Sequence, residues 1–186
     1  MIHKSFEDMG IPRGYGFKQL LFCLSAKKLV VHTESVRPWR PERLYIRDLS
    51  SDRYTLVGSP ADMISQQYPV ISNSKCLLAY SAELNKFDVN EEGDELHFGQ
   101  WDSINIHNLA APAEARILDS NAIRFPEGVN DGWISSILSF SDSGKNLNVV
   151  AGLSRTKRRH MEYYVCDLDL ETGVLRPITI LPATFM

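Results

Sequence analysis

The sequence predicts an all-β protein of three tandem four-stranded antiparallel meanders. Apolar segments recur in pairs around short polar turns, and the paired pattern itself recurs three times. No segment of useful length shows the 3.6-residue apolar period of a helix.

Each unit opens with a hairpin. The first runs from Gln19 to Lys28 and on through Leu29–Thr33, the second from Gln67 to Lys75 and on through Cys76–Tyr80, and the third from Ser136 to Lys145 and on through Asn146–Ala151. In each, an apolar strand meets a polar turn that closes on lysine, and a second apolar strand follows. The turn chemistry is clearest at Ser141-Asp142-Ser143-Gly144. A third strand comes next, at Arg43–Leu49, Ser103–Leu109 and Glu162–Leu168, with final leucines 60 and 59 residues apart. Turn-rich patches at Ser50–Asp52, Ala110–Pro112 and Asp169–Gly173 lead into fourth strands at Arg53–Val57, Glu114–Leu118 and Val174–Thr179. Leu44 and Ile46 alternate with Tyr45 and Arg47, as expected of a strand with one buried face. The units span about 17–58, 63–118 and 133–180 of a single domain covering 1–186. Lettered A to D, the strands of one meander cannot bury both faces alone, so the units are expected to stack.

The stretch Phe140-Ser-Asp-Ser-Gly-Lys-Asn-Leu147 resembles the Phe-Ser-x-Asp-Gly-Lys turn of TolB-like and WD40-like β-propeller repeats. Tyr164-Val-Cys-Asp-Leu168, followed by Glu171-Thr-Gly173, is similar to the Tyr-x-x-Asp-Leu-x-Thr-Gly ending of those repeats. Ser143 separates the Asp and Gly of the first motif, and the first two units have Ala26-Lys27 and Asn73-Ser74 at that turn. The resemblance covers most of residues 17–180 and implies a β-propeller-like fold but no reaction. Closed propellers have about 4–8 blades. Three units are therefore expected to form an open arc, or half of a six-bladed ring completed by a homodimer. Residues 1–16 and Leu175–Met186 are the segments available to cover the ends.

Composition narrows the class further. With 44% apolar and 23% charged residues the chain reads as an ordinary globular protein, expected in the cytoplasm. A net charge of -3 gives no global pull toward nucleic acid or an anionic membrane. No apolar run approaches the roughly 20 residues that span a bilayer. Cys23, Cys76 and Cys166 lack CxxC spacing and sit in apolar segments, so all three are expected to be reduced core thiols.

Short A–B and C–D turns fall at one end of each meander, and the long B–C and D–A connections fall at the other. The long B–C loops, about Glu34–Glu42, Ser81–Asp102 and Leu153–Met161, are where binding residues are expected. Arg37, Trp39 and Arg40 form a contact patch stiffened by Pro38 and Pro41, Trp101 borders the second loop, and Arg155, Lys157, Arg158 and Arg159 make a basic run in the third. The second loop is acidic, with Glu83, Asp88, Glu91, Glu92, Asp94 and Glu95, and would repel a phosphate backbone, so nucleic acid is not expected. Gly152-Leu-Ser-Arg-Thr156 lacks the closing glycine of a nucleophile elbow. The five histidines show no metal-ligand spacing, and no cofactor or metal is expected. The sequence thus points to a non-enzymatic module that binds a protein partner through its loop face. The alternative is a small hydrolase or lyase acting on a carbohydrate or other polar ligand in a central cleft, which requires paired carboxylates.

Overall fold

A computed structural model describes residues 11, 14–35, 42–58, 63–84, 87–89, 95–97, 101–111, 115–119, 121–155 and 161–182. Among these there is no helix. The strands form three four-stranded antiparallel sheets and a two-stranded ribbon, and no sheet closes into a barrel. The first sheet is β1 (Tyr15–Cys23), β2 (Lys28–Ser35), β3 (Arg43–Asp48) and β4 (Arg53–Leu56), in chain order. The second is β5 (Met63–Ser72), β6 (Leu77–Leu84), β9 (Trp101–Asn108) and β10 (Ala115–Asp119). Between β6 and β9 the chain makes the ribbon of β7 (Phe87–Val89) and β8 (Glu95–His97), where the sequence suggested only irregular loop. The third sheet is β11 (Asp131–Phe140), β12 (Asn146–Ser154), β13 (Glu162–Asp169) and β14 (Leu175–Ile180). Each sheet is therefore one A-to-D meander of the predicted repeat. The chain divides into two compact units, Met1–Gln67 with Ala82–Gln100, and Tyr68–Ser81 with Trp101–Met186.

The same turn closes every meander. At the end of strand C a side-chain oxygen accepts hydrogen bonds from the backbone N–H groups of the second and third residues after it. Asp48 Oδ1 takes Ser50 and Ser51 N–H, Asn108 Oδ1 takes Ala110 and Ala111 N–H, and Asp169 Oδ1 takes Glu171 and Thr172 N–H. Asp and Asn suit this position because their short side chains reach the backbone two residues on. The following leucine then bonds back to the start of strand B: Leu49 to Lys27, Leu109 to Cys76 and Leu170 to Lys145, at 3.0, 2.9 and 3.0 Å. The third member is thus Leu170 rather than Leu168, and the true spacings are 60 and 61 residues (109 − 49 and 170 − 109). The run Asp167-Leu168-Asp169-Leu170 offers the motif twice, and only its second copy sits at the turn.

In the second unit, two sheets share one apolar core. Leu147, Val149 and Ala151 of β12 face the same way as Cys166, Leu168 and Leu175, because the ladder pairs Leu147 with Leu168, Val149 with Cys166 and Leu168 with Leu175. Ala79, Ile104, Ile106 and Leu118 of the second sheet meet them. Burial pushes the free Cys166 thiol up to about 11, so it is inert at neutral pH. Cys23 and Cys76, by contrast, are disulfide-bonded, which corrects the expectation of three reduced thiols.

After β10 the chain crosses the start of β14. Arg124 N–H bonds to Gly173 O at 2.8 Å and Leu175 N–H to Arg124 O at 3.0 Å, forming a short parallel bridge between Arg124 and Val174. This crossing passes so close that a Cβ on Gly173 would lie 2.0 Å from Ala122 O, and Gly173 also has φ +73°.

In the first unit, Leu29, Val31 and Tyr45 pack with Ile11 on one face of the first sheet, while Val30, His32 and Leu44 are buried on the other. Gln66 extends that sheet's ladder with its side chain. Val57 N–H bonds to Leu44 O, and the Gln66 amide fills the next rung, with Oε1 accepting from Leu44 N–H and Nε2 donating to Val57 O, each at 2.8 Å.

Urea unfolding of three variants checks this frame. Gly173→Ala is expected to cost well over about 2 kcal/mol in urea unfolding, combining a backbone clash with left-handed strain. Gly128→Ala, at φ +80° but with open space around it, should cost only about 1 kcal/mol. Gln66→Leu strips partners from two buried backbone groups and is expected to cost about 2–4 kcal/mol in the same assay.

Candidate functional site

Of the sequence-predicted binding residues, Arg37, Trp39, Arg40, Lys157, Arg158 and Arg159 lie outside the described residues. Trp101 opens β9, and its side chain also lies outside them. Arg155 is exposed just beyond β12, where its carbonyl accepts a hydrogen bond from the Asn130 side chain. It borders a hollow of about 100 Å³ lined by Pro126, Val129, Leu153 and Pro177. At the mouth of this hollow Tyr164 donates to Glu162 Oε2 at 2.6 Å, an interaction that raises the tyrosine pKa. The predicted loop end of the third sheet thus holds a small apolar dimple.

A larger concavity lies at the opposite, short-turn end of the second unit. Its volume is about 740 Å³, within the range of ligand pockets. Leu77, Ile106 and Leu170 give it an apolar floor. Arg116 of β10, Lys145 of the β11–β12 turn, and Asp169 and Glu171 of the β13–β14 turn supply charges around it. The turn chemistry fixes these groups. Leu170 N–H bonds to Lys145 O, which binds one turn to the other, and Arg116 Nη2 donates to Glu171 O at 3.1 Å. Gly144, at φ +65°, brings the β11–β12 turn against Ser72 and Lys75, and Ser74 Oγ donates to Asp142 O at 3.2 Å.

One of the two carboxylates there, Asp169, is committed elsewhere. Asp169 caps the backbone of its own turn, and these hydrogen bonds, the one from Thr172 foremost, hold its carboxyl below the ordinary value. It is therefore ionised at neutral pH and cannot serve as a general acid. Two-carboxylate glycoside chemistry needs one acid held protonated in an apolar setting, and Asp169 is the reverse case.

The first unit contains a hydrogen-bonded chain of side chains, His32–Glu42–Lys18, that sequence reasoning did not assemble. His32 is 2% exposed, and its Nε2–H donates to Glu42 Oε2 at 2.7 Å. The other carboxylate oxygen of Glu42 accepts from Lys18 Nζ at 2.6 Å. His32 Nδ1 is buried without a hydrogen-bond partner. Burial alone would push the Glu42 carboxyl up. The hydrogen bonds and charges of His32 and Lys18 outweigh it and hold the carboxyl below its ordinary value. His32 was legible as a strand histidine, but its link to Glu42 joins residues ten apart in sequence, and periodicity carries no signal for it.

Compared with known protein families and with curated proteins, the chain matches none.

The Glu42 shift sets a direction for pH dependence. A carboxyl with a depressed folded-state value adds stability above its unfolded value near 4.5, and that stability is lost as pH falls through the lower folded value. Thermal melts of the wild type should therefore drop between about pH 5 and pH 3 more steeply than those of Glu42→Gln, which should be about 1–3 kcal/mol less stable at pH 7.

Proposed function

We propose that this chain is a non-enzymatic binding module of propeller-like repeats that recognises a protein partner. The observation behind this reading is the 740 Å³ concavity at the turn end of the second unit, with its apolar floor and charged rim. A floor of Leu77, Ile106 and Leu170 rewards burial of apolar side chains, and flanking charges of both signs give orientation and selectivity. The hydrolase reading is weaker, because Asp169 is held ionised by its own turn and is not available as an acid. The protein partner is favoured over a small polar ligand because most of the floor is apolar and the rim is open to solvent on exposed turns.

Selection from a displayed peptide library against the immobilised full chain tests the reading. Recovered peptides are expected to lose at least about tenfold in affinity against Arg116→Glu or Ala115→Arg, both exposed positions on β10. Recovery of no binder, or equal binding to both variants, would count against this site. Turnover in a hydrolase screen that disappears in Asp169→Asn would count against the class.

A further inference from the structure

Strand β1 lies at the edge of the first sheet and displays an unusual amount of apolar surface. Phe17, Leu20 and Phe22 are each about half exposed, and Leu24 in the following turn is 84% exposed. In register, Leu20 stands opposite Val31 and Phe22 opposite Leu29, so these side chains share the face that carries the Ile11 cluster. The strip continues that apolar cluster outward to the sheet edge. Among the described residues, exposed large apolar side chains are fewer on any other strand, as with Ile178 and Ile180 on β14.

We propose that this β1 surface binds a second copy of the chain. The size of the strip argues for it. Half-exposed phenylalanines leave on the order of 100 Å² each, and with Leu20 and Leu24 the total is on the order of 400 Å². A standard interface buries about 800 Å² per partner, a little over half of it apolar, so the strip supplies roughly the apolar share of one side. A patch of this size equals the largest apolar patch of a typical monomer, and such patches often mark an interaction site. Charge does not oppose the contact. Lysine on an edge strand ordinarily blocks pairing, but here the Lys18 ammonium is drawn to Glu42 at 2.6 Å and Glu34 at 3.7 Å. A surface that meets its own copy about a two-fold axis needs only this one patch, the commonest geometry of homodimers.

The test is the mass of the full chain by light scattering coupled to gel filtration. The wild type should elute as a dimer, at twice 21.1 kDa. Phe22→Glu and, separately, Leu24→Glu should each shift it to the monomer, with the dissociation constant raised at least about tenfold and the thermal melt of the fold retained. Leu24 lies in a turn and is mostly exposed, so its variant reports on association even if Phe22→Glu unfolds the sheet. Ile178→Glu on β14 should remain dimeric. A monomeric wild type, a dimer that survives both β1 variants, or a dimer broken instead by Ile178→Glu overturns the proposal.

Discussion

Each sheet depends on one side-chain oxygen at the end of its third strand. Asp48, Asn108 and Asp169 accept backbone N–H groups from the turn that follows, and the next leucine donates its own N–H to the start of strand B. These bonds lock strands B, C and D in register. Register in turn decides which residues face inward, because a one-residue slip would move every side chain to the opposite face. The alternation that buries Leu147, Val149 and Ala151 while leaving Asn146 at the turn end follows from that lock.

The same turns build the concavity of the second unit. The β11–β12 and β13–β14 turns are joined through Leu170 and Lys145, and this places Lys145 and Glu171 beside a floor that the second sheet extends with Leu77 and Ile106. Asp169 is spent on holding its own turn, which leaves the concavity better suited to recognition than to proton transfer. In the first unit, side chains complete what the backbone leaves open. Gln66 supplies a rung beyond the end of β4, and Glu42 ties buried His32 to Lys18.

Much of the fold was legible because short-range physics writes it into the sequence. Apolar alternation marked the strands, and Ser141–Gly144 and Asp169–Gly173 marked the turns. The repeat alignment slipped by two residues in the third unit, where Asp-Leu-Asp-Leu presents two candidate anchors and hydrogen bonding selects the second. The β7–β8 ribbon escaped notice because its three-residue strands are separated by charged and glycine residues. Less of the candidate site was legible. The turn residues around the concavity looked like turn residues and nothing more, since their convergence depends on contacts between strands far apart in sequence. Arg155 alone of the anticipated binding side chains is described, and it borders the smaller hollow rather than the larger one.

The three meanders share one register, anchored at Asp48, Asn108 and Asp169. Backbone amide hydrogen exchange, followed residue by residue on the full chain, tests it most directly. The amides of Leu49, Leu109 and Leu170, each bonded to the start of strand B, should all exchange at least about a thousandfold more slowly than in an unfolded chain. Exchange of Leu170 at the unfolded rate, with Leu49 and Leu109 protected, would contradict the shared register.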